Sequence, residues 1–359
     1  MMLKNRMDLI KRSFLFRFYR AYLKMSGCYG KIVLNEFVNS HFPKHGIKDK
    51  KRICGLIKKD YAFRGFPYEE FWQFRFDLLS KTQKNTMIPV YRINRFYDVV
   101  NSEQGRSHML FDKWKTYLLY KDLYGRDACL IRKNKEKDGE KYNVADLDIF
   151  RDFVANHSEF IIKPLFLDSG LGVKKIEVKG MDFATVLSEC PDDDFMAEEL
   201  IVESESLAKY NPSSVNTLRI NTVYFDDNDI EIFRPIMRFG NGNVVVDNAH
   251  FGGLFAVVDP KTGLMTHAGD LDRHDYVNHP YTKLPIVGQT IPNWEEACEI
   301  SRMAARRLPD HVFTGWDLAL TDSGWVIIEG NAKPGLLDSA LTGIGPRDEL
   351  KRIREKIRK

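Results

Sequence analysis

The chain has 359 residues, 43% of them apolar and 29% charged, with a formal net charge of +4. That balance excludes a disordered or collagen-like chain, and the length can bury a sizeable core in two or three subdomains. No apolar run approaches the roughly 18 residues a membrane span needs, and the N-terminal stretch MMLKNRMDLIKRSFLFRFYRAYLKM is too often broken by charge to be a secretory signal.

The five cysteines, Cys28, Cys54, Cys129, Cys190 and Cys298, are scattered and form no CxxC pair. This points to a reducing compartment, hence the cytoplasm, and away from a zinc site. Charge is uneven: the first 64 residues hold about 16 Lys and Arg against about 4 acids, so the remainder is net acidic. Lys48, Lys50, Lys51 and Arg52 cluster ahead of Lys58 and Lys59, and Phe14, Phe16, Phe18, Tyr19 and Tyr22 interleave with the upstream cations. Such a stripe can lie on an anionic leaflet or follow a nucleic-acid backbone. A helical region with aromatics packed inward and cations in solvent explains it more simply. No nucleic-acid motif accompanies the charge, so no nucleic acid is expected, and peripheral contact with the inner face of the membrane is the better functional alternative.

Residues 1–105 read as a basic, mainly helical N-terminal region, punctuated at Gly27, Gly30, Pro43, Gly46, Gly65 and Pro67. Ile88, Val90 and Ile93 suggest a short extended segment over 87–94. Residues 112–124, DKWKTYLLYKDLY, predict a helix capped by Asp112 and ended by Gly125. From Phe160 onward strands dominate, with helices near 181–189, 294–308 and 347–358. The stretch 270–293, with three prolines, reads as a surface loop near a site.

Four polar clusters interrupt this pattern. In FIIKPLFLDSGLGVKKIEV (160–178), Lys163 ends a β-rich run, and Ser169, Gly170 and Gly172 sit in a small-residue loop before a second run. Glycines let backbone N–H groups approach a polyphosphate, and a strand-end lysine can neutralise it. The spacing is not that of a P-loop, and a hairpin turn explains the loop equally well. DFMAEELIVESES (194–206) suits either a linker at a nucleotide pocket or an exposed acidic strand. Residues 213–240 read as a hairpin turned at Asp226–Asp229, gathering Arg219, Asn221, Arg234 and Arg238 on one face. These would repel unless an anion, or the acidic segment before them, satisfied them. In 244–259, Asp247, Asn248 and His250 precede Gly252-Gly253 in a polar turn; no second histidine makes a nucleophile-activating pair.

WDLALTDSGWVIIEGN (316–331) is the most informative stretch. It predicts a β-hairpin with Asp322-Ser323-Gly324 as its loop, which sets Asp317 across from Glu329 with Asn331 on the same face. Leu318, Leu320, Val326 and Ile328 then face inward. Opposed carboxylates destabilise a ladder unless compensated, and a hard cation such as Mg²⁺ with oxygen ligands is the natural candidate. A solvated polar face on an amphipathic hairpin is the bland alternative.

The order of Lys113, Lys163 with its glycine loop, Glu198-Glu199-Leu200-Ile201, the arginine strand NTLRI, the Asn248/Gly252-Gly253 turn, and Asp317 with Glu329-x-Asn331 resembles the ATP-grasp superfamily. SSVNTLRINT, VDNAHFGG, IPNW and GWDLAL are similar to its sugar-transfer-associated branch, over about residues 106–340. The resemblance implies an α+β, ATP-grasp fold: a small lobe with a glycine flap (106–200), a large catalytic lobe (201–346) and a basic C-terminal helix (347–359). Lys113, Lys163, Ser169, Gly170 and Gly172 would contact ATP phosphates. Glu198, Glu199, Leu200 and Ile201 would line the adenine, and Glu205, rather than Glu203, would hold the ribose. Asp317, Glu329 and Asn331 would ligate Mg²⁺, with Mn²⁺ as a substitute, and Arg219, Arg238 and Asn248 would serve catalysis. The implied activity is an ATP-dependent ligase forming an amide between a carboxylate and an amine, an amino acid and a sugar derivative, in surface-polysaccharide biosynthesis. A kinase on the same fold, or a non-catalytic basic module with a degenerate nucleotide site, are the alternatives.

Overall fold

The structure, a computed structural model, describes residues 29–101, 107–134, 141–166, 172–242 and 252–358. Phe14–Tyr22, Ser169, Gly170, Asn248 and His250 lie outside them. The chain divides into two compact units, Met1–Lys84 and Asn85–Lys359.

In the first unit the described residues are helical, as expected, over Tyr29–His41, Ile47–Arg64 and Tyr68–Gln73. Gly65 closes the second helix in the left-handed region at φ 77, its N–H reaching the carbonyls of Asp60 and Tyr61. Leu34, Val38, Phe42, Ile53, Ile57, Phe66, Phe71 and Phe76 are buried. Buried Asp60 is neutralised by Arg64 and Lys84, while Lys48, Lys51, Arg52, Lys58 and Lys59 are exposed.

The second unit opens with a departure from expectation. The apolar residues around 88–93 belong to no strand; Pro89 precedes a helix, Val90–Val100, which buries Ile93, Tyr97 and Val100. Those positions follow the i, i+4, i+7 spacing of a helix face, which outweighs the β-branched composition. Lys113–Tyr124 is helical as predicted: Asp112 accepts from the N–H groups of Trp114 and Lys115, and Gly125 follows at φ 59.

Two antiparallel sheets carry the rest. The first is ordered β1-β4-β2-β3, with β1 Ala128–Ile131, β2 Glu159–Pro164, β3 Lys174–Glu177 and β4 Phe195–Glu199. The helices Val144–Asn156 and Phe183–Ser188 cover it through Phe150, Phe153 and Val186, packed on Phe160, Ile162 and Phe195. The second has seven strands, β5 Thr217–Asp226, β6 Asp229–Phe239, β7 Leu254–Val258, β8 Met265–Gly269, β9 Asp275–Tyr276, β10 Phe313–Thr321 and β11 Gly324–Asn331. Their order is β11-β10-β5-β6-β7-β8-β9. On one face Leu218, Ile220, Met237, Trp316 and Leu318 pack with Tyr117, Tyr120, Trp294 and Cys298 of the helices Lys113–Tyr124 and Trp294–Arg306. At one end of the other face Val223, Phe233 and Phe313 meet Ile93, Tyr97, Leu350 and Ile353. Further along the same strands that face carries Arg219, Asp317 and Arg238 beside the buried Ile236 and Phe255.

The stretch 270–293 is bound to the sheet rather than a free surface loop. It contains β9, bridges Asn278 to Pro285, and buries His279, Ile286 and Ile291. The His279 ring bonds the Gly240 carbonyl at 2.8 Å.

Candidate active site

The hairpin places Asp317 opposite Glu329, by a different route from the one its sequence suggests. Thr321 pairs with Gly324, so only Asp322 and Ser323 form the turn, one residue fewer than expected. A bulge between Asp317 and Leu318 makes up the difference, since Leu318 pairs with Ile327 and Ile328 is the extra residue. Between turn and bulge the register is slipped by one, and a one-residue slip exchanges faces. Trp325 and Ile327 are therefore the buried residues, not Val326 and Ile328. Beyond the bulge the expected pairing returns, and Asn331 donates to Glu329 Oε1 at 3.4 Å.

Asp317, 2% exposed, is the hub. Arg219 lies across the ladder from it and makes two hydrogen bonds, one of 2.7 Å to Oδ2. Arg238 pairs with Oδ2 at 2.8 Å and donates to Thr217 Oγ1 at 2.8 Å. Burial works against the Asp317 charge, but the two guanidiniums outweigh it and hold its carboxyl well below the usual range. Glu329 is pushed up, first by burial and then by the Asp317 charge. The arginines thus find their counter-ion on β10 rather than in the acidic segment 194–206.

Arg234 does not join them. A bulge between Arg219 and Asn221 shifts the β5–β6 register, and Arg234 takes φ 44. Its guanidinium contacts Asp338 and Glu349 and the carbonyls of Ile344 and Gly345, clamping the C-terminal segment.

On the four-stranded sheet Lys163 donates to Glu198 Oε2 at 2.7 Å, and Lys113 reaches the Leu165 carbonyl at 3.4 Å, so both lysines gather at the end of β2. Lys163 also lies near enough to Glu329 to oppose the rise in its pKa. Glu198 is buried and paired, so β4 is not an exposed acidic strand; only Glu199 of that pair is exposed. Glu199 accepts from the Asp127 N–H at 3.2 Å, and Leu200 and Ile201 are partly buried beyond it. Both Glu203 oxygens accept from Asn216, at 2.9 and 3.0 Å, whereas Glu205 is exposed. Gly172 is in the left-handed region at φ 76.

These donors suit a hard divalent ion. Asp317, Glu329 and Asn331 could offer carboxylate and carboxamide oxygens on one face; both Asp317 oxygens also take N–H groups from Arg219 and Arg238, whereas Glu329 has no cation bonded to it among the described residues. Two carboxylates and one carboxamide fall short of a full protein cage, which fits Mg²⁺, an ion that keeps waters and phosphate oxygens in its shell.

A model of the family described as sugar-transfer associated ATP-grasp matches residues 93–355. The chain belongs to that family. The match extends beyond the span the sequence motifs suggest, from within the helix Val90–Val100 into the helix Arg347–Ile357. The chain is also similar, at low identity, to solved ligases. D-alanine-D-alanine ligase from Coxiella burnetii is 12% identical, with 72% of this chain and 60% of that one covered at a TM-score of 0.43. VanG D-Ala:D-Ser ligase from Enterococcus faecalis is 15% identical, with 72% and 64% covered at 0.45. The ATP-grasp ligase PsnB, complexed with minimal precursor, Mg and ADP, is 13% identical, with 80% and 72% covered at 0.42. The chain thus spans under two thirds of the length of the first two. No curated protein matches it.

One residue of this ATP-grasp protein's site escapes its motifs. Arg126, 7% exposed, donates to Glu198 Oε2 from Nε at 3.2 Å and from Nη2 at 3.0 Å. Its Nη1 donates to the Ile327 carbonyl at 2.7 Å. The only sequence signal is a charged residue directly after a helix-ending glycine.

Proposed function

We propose that the protein is an ATP- and Mg²⁺-dependent ligase that joins a carboxylate to an amine through an acyl phosphate. The observation that carries this reading is the meeting of Asp317, Glu329, Arg219 and Arg238 on one sheet face, within electrostatic reach of Lys163. Phosphoryl transfer to a carboxylate brings anions together, and a protein that lowers its barrier needs cations and oxygen donors set in place beforehand.

Asp317, Glu329 and Asn331 would hold the metal, which supplies charge neutralisation at the transferring phosphoryl group. Lys163 and Lys113 would contact the nucleotide phosphates, with Gly172 in the loop beside them. Glu198 to Ile201 would border the adenine, with Glu205 as the ribose partner because Asn216 occupies Glu203. Arg219 and Arg238 steady the phosphoryl group as it passes from ADP to the carboxylate oxygen. An amine then attacks the acyl carbon, the C–O bond to phosphate breaks, and inorganic phosphate leaves as the amide forms. No protein nucleophile is needed.

The family's association with sugar transfer supports an amino acid and a sugar acid or amino sugar as substrates, in surface-polysaccharide biosynthesis in the cytoplasm. The exposed cations of the helix Ile47–Arg64 support a peripheral location at the membrane's inner face. The test is ADP and inorganic phosphate release with Mg²⁺ across a panel of amino acids and nucleotide-sugar acids. Both products should appear only when carboxylate and amine are present together. ADP with a stable phosphorylated acceptor and no free phosphate would overturn the ligase in favour of a kinase.

A further inference from the structure

We infer that Arg126 is a positioning residue that leaves Lys163 free to turn from Glu198 to the nucleotide phosphates. The inference rests on the nucleotide reading above, and deepens it by naming a residue outside every motif of the site.

Glu198 is a buried carboxylate with two cations on one oxygen, Lys163 at 2.7 Å and Arg126 at 3.0 Å. One cation suffices for neutrality. The two differ in what else holds them. Arg126 is fixed: its Nη1 bonds the carbonyls of Tyr124 at 3.0 Å and Ile327 at 2.7 Å, and its guanidinium lies 4.4 Å from the Tyr124 ring centre. Lys163 carries a compact ammonium on a flexible stem and is 15% exposed. A buried carboxylate stripped of its only cation is costly, so Lys163 alone on Glu198 would be held there. With Arg126 present, Glu198 stays neutralised when the lysine turns away. Arg126 also ties β4 to β11 at Ile327, the residue before the bulge that aims Glu329, so the lysine and the carboxylate share one anchor.

The experiment measures Mg·ATP affinity by titration for the wild type, Arg126→Met, Glu198→Gln and the double variant, alongside melting temperatures. Arg126→Met should weaken binding about tenfold or more, because Glu198 now competes with phosphate for Lys163. Adding Glu198→Gln removes the competitor, and affinity should return to within about threefold of Glu198→Gln alone. A folded double variant no tighter than Arg126→Met would overturn the inference, since a purely structural arginine gains nothing from losing its carboxylate. Should Arg126→Met fail to fold, Arg126→Lys carries the test: it keeps a cation on Glu198 and should bind within about threefold of wild type, and a tenfold loss in the folded variant would overturn the inference. Wild-type protein that binds no Mg·ATP would sink the nucleotide reading and this inference with it, whereas normal wild-type binding without recovery sinks the inference alone.

Discussion

Arg219 stands directly across the β5–β10 ladder from Asp317, its Nη2 2.7 Å from Oδ2. Arg238 joins the pair on the same sheet face, 2.8 Å from Oδ2. Arg234, on the neighbouring strand, is turned away to Asp338 and Glu349. Two arginines of similar sequence context therefore have different work. Arg219→Met should abolish turnover, and Arg234→Met should chiefly lower stability, by about 3 kcal/mol, because it strands buried Asp338. Melting curves and ADP release on both variants separate the two; equal thermal losses would contradict the division.

Glu329→Gln should reduce turnover by roughly two orders of magnitude or more. It should also weaken Mg·ATP binding. The fold should survive, with a melting temperature equal to or above wild type, since the substitution removes a carboxylate opposed to Asp317. Turnover at the wild-type rate would remove Glu329 from the metal site.

His311 makes stability depend on pH. Its Nδ1 bonds Thr314 Oγ1 at 2.8 Å and its Nε2 meets Asn101 Nδ2 at 3.0 Å, and burial lowers its pKa from 6.5 to about 4. The unfolded chain takes up the proton first as pH falls, so the contribution is intact above pH 6.5 and lost progressively towards pH 4. The full loss is about 3 kcal/mol. Asp338, raised by burial from 3.8 to about 6, pulls the other way as pH rises. The comparison of wild type with His311→Gln isolates the histidine: the variant should lose less stability between pH 7 and 5. Parallel curves would refute the assignment.

Exposed Lys48, Lys51, Arg52, Lys58 and Lys59 all lie on the helix Ile47–Arg64, which buries Ile53, Ile57 and Asp60. Sedimentation with phosphatidylserine vesicles should fall several-fold for each of Lys51→Glu and Lys58→Glu, at about 1 kcal/mol per lysine. Turnover on free substrates should not change. Unaltered sedimentation of both variants would exclude this surface as the membrane contact.

The hairpin around Asp317 and Glu329 was legible because turn chemistry and the two-residue period act over a dozen positions. The inward Leu318 and Leu320 are legible in the same way, but on β11 Trp325 and Ile327 replace Val326 and Ile328, because the bulge at Ile328 depends on packing that local sequence does not encode. The helix Val90–Val100 is hidden by β-branched residues that favour an extended segment, although Ile93, Tyr97 and Val100 carry a helical spacing. Arg126 stayed invisible for a different reason: its partners lie 72 and 201 residues away. The arginines on β5 and β6 were visible as a charged face, but which of them share a counter-ion depends on a second bulge.

The bulge at Ile328 has an evolutionary corollary. It separates the hairpin tip from the end that bears Glu329, so insertions at Ser323 can accumulate in homologues without re-aiming that carboxylate. Loss of the single residue Ile328 would remove the bulge and still leave Glu329 opposite Asp317, now in an unbroken register. The facing of Asp317 and Glu329 is thus tolerant of change on both sides of the bulge, at the tip and at the isoleucine itself.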